Sequence, residues 1–150
     1  GREMSFSIGG DRMKIIVCTD GSEYGDKAVS YATQFADNYG IDLTILHVIE
    51  DTITQDALPT YPGFKPRREE AERILAHAKS VAREVSKKVT CHERIALGPI
   101  TSEIVRIAAV EDFNGIVVGT KGVRGLKRML VGSIARQVIR HAHCPVTVVR

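Results

Sequence analysis

The chain has 150 residues, 43% of them hydrophobic and 26% charged, which suits one globular domain with a real core and excludes a chain disordered as a whole. Its 21 basic and 18 acidic residues leave a net charge of +3, too balanced to argue for nucleic-acid binding, and no apolar run approaches membrane-spanning length. The three cysteines, Cys18, Cys91 and Cys144, are scattered without a CxxC pair, which favours a reduced cytoplasmic protein over a disulfide framework.

Residues 1–11, GREMSFSIGGD, show no period and read as a disordered leader or partly an expression remnant, so the folded domain is expected over 12–150. Residues 13–19, MKIIVCT, form an apolar run rich in β-branched residues, hence a strand covered on both faces. Asp20-Gly21-Ser22 ends it, and Ser22 can cap a helix from Glu23 to Tyr39. Apolar positions at 28, 31, 32, 35, 36 and 39 have the spacing of one helical face, and Gly40 stands where a C-cap glycine belongs. Residues 41–49, IDLTILHVI, predict a second strand, with His47 and Cys18 expected in the core.

Residues 50–66 carry three prolines (59, 62 and 66) and Gly63, and predict a loop. A helix over 67–88 follows, its stripe at 71, 74, 75, 78, 81, 82 and 85 reading as core and its Arg/Glu face as solvated. Residues 90–97 alternate weakly as a third strand. After the Gly98-Pro99 turn, Thr101 or Ser102 is expected to cap a helix with its stripe at Ile104, Ile107 and Ala108. Residues 115–118 form a short buried strand, a helix over 133–142 starts at Ser133 (itself a plausible N-cap), and Pro145 opens a last strand, VTVV.

Between that fourth strand and the last helix stand glycines 119, 122, 125 and 132, with Lys121, Arg124, Lys127 and Arg128 among them. Glycine lets backbone N–H groups approach an anion, and a helix start adds unpaired donors and partial positive charge. The stretch therefore reads as an anion site, of the kind that holds a nucleotide's phosphates. The order β-α-β-α-β-α-β-α-β implies an α/β fold, a single doubly wound five-stranded parallel sheet with helices on both faces. A strand order of 3-2-1-4-5 makes the first and fourth strands neighbours, so that Thr19-Asp20-Gly21 and Gly119-Thr120 end in one crevice, where such sheets bind ligands.

Gly119, Gly122, Gly132 and Ser133 also reproduce a signature of Gly, two residues, Gly, nine residues, Gly and Ser or Thr. With Asp20 closing the first strand and the ending HAHCPVTVVR, the chain resembles the ATP-binding branch of the universal stress protein family over residues 13–150. The resemblance implies a Rossmann-like sheet of the adenine nucleotide alpha hydrolase type, and ATP or another adenine nucleotide, with Mg or Mn carried by its phosphates. It implies contacts from Thr19 and Asp20 to the adenosine part and from the backbone of Val48 to adenine. Gly119, Thr120, Gly122 and Arg124 would surround ribose and phosphates, with Gly132, Ser133 and Ile134 holding phosphates at the helix start. It further implies a homodimer paired through residues 146–149 and a regulatory role in stress response. Cys18 departs from the family pattern, which often has Pro two residues before the aspartate.

No GxxxxGK[ST] loop is present, so a P-loop NTPase is excluded, and no general base stands beside the glycines. Binding with slow or no hydrolysis is the preferred reading. A slow ATPase or adenylate-transferring enzyme is the alternative, although the SGGxDS pyrophosphate loop is missing. Nucleic-acid binding ranks lower, because residues 114–150 contain no aromatic on which a base could stack. His141, His143 and Cys144 are not read as a metal site, since alternate residues across a helix end point in different directions.

Overall fold

The structure, a computed structural model, describes residues 7–8, 11–51, 64–122 and 131–150. Five strands, β1 (Lys14–Cys18), β2 (Asp42–Glu50), β3 (Cys91–Gly98), β4 (Gly115–Gly119) and β5 (Val146–Val149), form one sheet. Its order is β3-β2-β1-β4-β5 and every pairing is parallel, as the alternation of strands and helices requires. Ahead of the sheet, in the stretch expected to be a disordered leader, Ser7–Ile8 pairs antiparallel with Asp11–Arg12.

Helices α1 (Glu23–Tyr39) and α2 (Phe64–Val85) cover one face; α3 (Ile100–Val110) and α4 (Ser133–His141) pack against each other on the opposite one. Ile15–Val17 of β1 and Ile116–Val118 of β4 are buried apolar runs because both faces are covered. Ile15 and Val17 enter a core with Ala28, Val29, Ala32 and Leu75, whereas Ile16 packs with Leu46, Ile104, Ile107 and Val138 on the other side. Strand ends lie within one residue of the expected positions.

Four local expectations are corrected. α2 begins at Phe64, so Pro66 lies in its first turn rather than in the preceding loop; a proline costs nothing there, since first-turn N–H groups have no intrahelical acceptor. The same helix ends at Val85 rather than 88, where the Ser86 hydroxyl accepts the Lys88 N–H and donates to Asp37. α3 is capped by Pro99, not by Thr101 or Ser102, and has no side-chain cap hydrogen bond. Along α1 the buried residues are Gly25, Ala28, Val29, Ala32, Thr33 and Ala36, while Tyr31, Phe35 and Tyr39 of the expected apolar face are exposed. Both ends of that helix match expectation: the Ser22 hydroxyl accepts the Gly25 N–H at 3.2 Å, and Gly40 is left-handed at φ 64°.

Candidate functional site

β1 and β4 are neighbours, so their C-terminal ends open into one crevice of about 400 Å³. Among the described residues its walls include Thr19, Asp20, Val48, Gly119, Thr120 and Lys121, with Gly122, Gly132, Ser133 and Ile134 opposite. Nine of the ten site residues expected from the sequence line it. The tenth, Arg124, lies outside the described residues, as do Gly125, Lys127 and Arg128.

Sequence dictates how each wall is held. The Thr19 hydroxyl accepts the Gly21 N–H at 3.1 Å and Asp20 Oδ1 accepts the Ser22 N–H at 3.0 Å, so the turn after β1 is closed by its own side chains. This aims the second oxygen of Asp20 across the crevice. A methyl group placed on Gly122 would lie 2.7 Å from Asp20 Oδ2, and one placed on Gly119 would lie 2.8 Å from the Tyr24 carbonyl oxygen. Glycine at 122 therefore lets the chain after β4 approach the end of β1, and glycine at 119 lets the end of β4 approach the first turn of α1.

At the far end, the Gly132 N–H donates to the Thr120 carbonyl and the Thr120 N–H to Val149 at 2.8 Å, tying the glycine loop to the last strand. Gly132, not Ser133, is the N-cap of α4, and it offers no side-chain acceptor to the first turn. Ser133 and Ile134 are instead exposed residues of that first turn, and the helix's first backbone donors face the crevice with partial positive charge. Lys121 adds a full charge at the mouth, its ammonium 5.8 Å from the centre of the Tyr24 ring.

Two wall residues were expected only as core. His47 is half-buried beside the crevice, and its Nδ1 lies 2.8 Å from the Thr19 carbonyl oxygen. An oxygen can only accept, so Nδ1 carries a proton in this contact and Nε2 takes no part in it. Cys18 also borders the crevice, and burial pushes its thiol up to about 12. It is a packing group and not a nucleophile at neutral pH. A polar residue inside an apolar strand, as at position 47, was the signal available in the sequence. Glu50 and Ile100 complete the rim and carried none.

Val48 is placed by register. β1 pairs β2 up to Cys18 opposite Leu46, and the Thr19 N–H donates to the Leu46 carbonyl at 3.0 Å. Backbone groups in a strand alternate sides, so Val48 points the way Leu46 does, but beyond the last rung of β1. Its N–H and carbonyl are thus aimed into the crevice rather than at a strand.

A family model described as the universal stress protein family matches residues 12–150. A universal stress protein of Methanocaldococcus jannaschii is 33% identical over 141 residues, spanning 91% of this chain and 81% of that protein. The universal stress protein YxiE of Bacillus subtilis is 32% identical over 147 residues, spanning 91% and 98%. Among solved structures, a universal stress protein from Archaeoglobus fulgidus in complex with dAMP superposes with a TM-score of 0.70 at 25% identity, covering 92% of this chain and 98% of its own.

Proposed function

The chain belongs to the universal stress protein family, and from that premise we propose that it is a regulatory module that binds ATP or another adenine nucleotide in the crevice between β1 and β4. One observation carries the reading: Gly122 is packed against Asp20 while the first turn of α4 faces the same space. Main-chain donors and a helix start at one end suit phosphates, and a carboxylate at the other suits sugar hydroxyls. The dAMP complex of the Archaeoglobus relative supports an adenine nucleotide as the class of ligand.

Val48 supplies one backbone donor and one acceptor for the adenine edge. Thr19 and Asp20 hold the ribose. Gly119, Thr120 and Gly122 follow it to the phosphates, which reach Gly132, Ser133 and Ile134, with Arg124 as a further cation. A crevice of about 400 Å³ falls in the size range of small-ligand sites. Mg or Mn would come with the phosphates rather than on protein side chains.

Hydrolysis is slow or absent in this reading. That preference rests on the absence of the GxxxxGK[ST] and SGGxDS loops from the sequence. A slow ATPase or an adenylate-transferring enzyme is the second reading. The module would act in the cytoplasm in the stress response, as a homodimer paired through residues 146–149 of the edge strand. No described helix is long and apolar enough to cross a membrane.

Two measurements test the proposal. Protein purified without added nucleotide is denatured, and the released small molecules are separated and weighed; an adenine nucleotide is expected. Titration calorimetry with ATP should then show one site per chain, and absence of heat with both ATP and AMP would overturn the assignment. Phosphate release with Mg²⁺ faster than roughly 1 s⁻¹, a typical enzyme rate, would favour the second reading.

A further inference from the structure

The aromatic row on α1 plays no part in the crevice or the core. Tyr31, Phe35 and Tyr39 stand 45%, 36% and 58% exposed, one helical turn apart. Their rings form a contiguous row, Tyr31 and Phe35 stacked with centroids 6.5 Å apart and Phe35 and Tyr39 tilted by 40° at 4.7 Å. A preorganised aromatic strip of this kind is costly to leave in water and is characteristic of a contact surface.

Its direction follows from what the rest of α1 touches. Asp26 meets His77 of α2 at 2.9 Å and Asp37 meets Ser86 at 3.1 Å. At 3.6 residues per turn these two positions lie roughly 160–180° around the helix from Phe35. The aromatic row therefore faces away from α2. α2 packs over β2 and β3, and α1 chiefly over β1 and β4 with its margins reaching β2 and β5, so the side away from α2 is the side of the β5 edge.

That edge is open in a specific way. Pro145 and Val149 turn their carbonyls toward β4, where the N–H groups of Ile116 and Thr120 donate to them at 3.0 and 2.8 Å. By alternation, the backbone groups of Val146 and Val148 point outward. Such an edge run antiparallel is its own complement, which a two-fold axis supplies. A four-residue strand pair by itself is far smaller than the roughly 800 Å² per partner of a stable interface. Adjoining apolar surface has to supply the remainder.

We propose that the aromatic flank of α1 (Tyr31, Phe35 and Tyr39) is a docking surface for a second copy of this chain, continuous with the β5 edge. This rests on the strand-paired homodimer proposed above and adds the surface that fixes its geometry. With α1 between β1 and β4, strand pairing leaves the two α1 helices three to four strand spacings apart, roughly 14–19 Å. Direct helix packing needs about 8–10 Å, so small side chains would leave a gap. Long aromatic side chains from both copies close it.

The test is sedimentation of the untagged full chain from about 1 to 100 µM, with ATP titrations and thermal melts run in parallel. The wild type is expected to be a dimer, and Tyr31→Glu combined with Phe35→Glu to weaken dimerisation by roughly tenfold or more. Val148→Pro, which removes an outward N–H without touching the β4 ladder, should dissociate it as well. Both variants should keep their melting temperatures and bind ATP, so loss of the dimer is read separately from loss of the nucleotide site. If the double variant melts early, Tyr39→Glu, at the most exposed of the three, takes its place. A wild type monomeric at 100 µM would leave this flank to some other protein and overturn the proposal. So would a dimer insensitive to the flank substitutions but broken by Ile139→Glu on the opposite face.

Discussion

Replacing Gly122 by Asp is the sharpest test of the crevice. Gly122 lies outside the left-handed glycines of the described chain, so a side chain there meets no backbone strain. What it meets is Asp20, 2.7 Å from its Cβ, and the space assigned to the nucleotide's phosphates. A carboxylate about 5 Å from a phosphate charge, at an effective dielectric of about 20, costs roughly 3 kcal/mol. That corresponds to a loss of about 200-fold in affinity. Gly122→Ala isolates the steric part, since the Asp20 carboxylate can swing aside while no charge is added; its loss should be clearly smaller. Calorimetric titration with ATP, beside far-ultraviolet circular dichroism, reads both halves. An affinity for Gly122→Asp within threefold of wild type, with the fold retained, would refute the reasoning.

Gly132→Asp is expected to behave differently, because its Cβ would meet the Thr120 carbonyl at 3.0 Å and a backbone atom cannot swing away. Loss of ATP binding should come with a lower melting temperature, read by calorimetry and a thermal melt on the same sample. Ser22→Ala removes the acceptor of the Gly25 N–H and should cost about 1 kcal/mol in denaturant unfolding, with the sheet unchanged. Ile107→Ala, at a fully buried position of α3, should cost about 2–5 kcal/mol by the same measurement. The Cys18 thiol, raised from 9.0 to about 12, stays protonated in the folded chain while the unfolded thiol ionises above pH 9. Its contribution to stability is therefore complete below pH 9 and lost as pH rises towards 12. The drop in unfolding midpoint between pH 8 and pH 10.5 should be smaller in Cys18→Ala, and an equal drop would count against the buried thiol.

Sheet order and crevice were legible because they depend on patterns that burial enforces. β1 and β4 can be nothing but apolar when helices cover both faces, and the alternation of strands with helices leaves few ways to join them. The caps were less legible. Thr101, Ser102 and Ser133 have the right chemistry for an N-cap, but a cap must have extended backbone, and Pro99 and Gly132 reach that conformation one to three residues earlier. Pro66 misled for the opposite reason: a strong breaker inside a helix is harmless in its first turn. Periodicity placed Tyr31, Phe35 and Tyr39 with the core stripe, since an apolar residue scores the same whether its neighbour belongs to this chain or to another. The residues beneath the helix are Gly25, Ala28, Val29, Ala32, Thr33 and Ala36, none larger than valine, because α1 lies close on the sheet.

The same closeness joins the crevice to the edge of the sheet. Thr120 accepts the Gly132 N–H and donates its own to Val149, so the loop that forms the crevice wall and the strand that ends the sheet share one residue. A partner strand on β5 would act on the outward groups of Val146 and Val148, directly beside that residue. If two copies pair there, fixing β5 would fix Thr120 through its bond to Val149, and a nucleotide held beside Thr120 would favour the pair to the same extent, since coupling between two binding equilibria is reciprocal. ATP should then tighten dimerisation of the wild type by the factor by which dimerisation tightens ATP, measured by sedimentation with and without nucleotide and by titration of wild type against Val148→Pro. Unequal factors would break the thermodynamic cycle, and two factors of one would show that the hydrogen bond from Thr120 to Val149 transmits nothing.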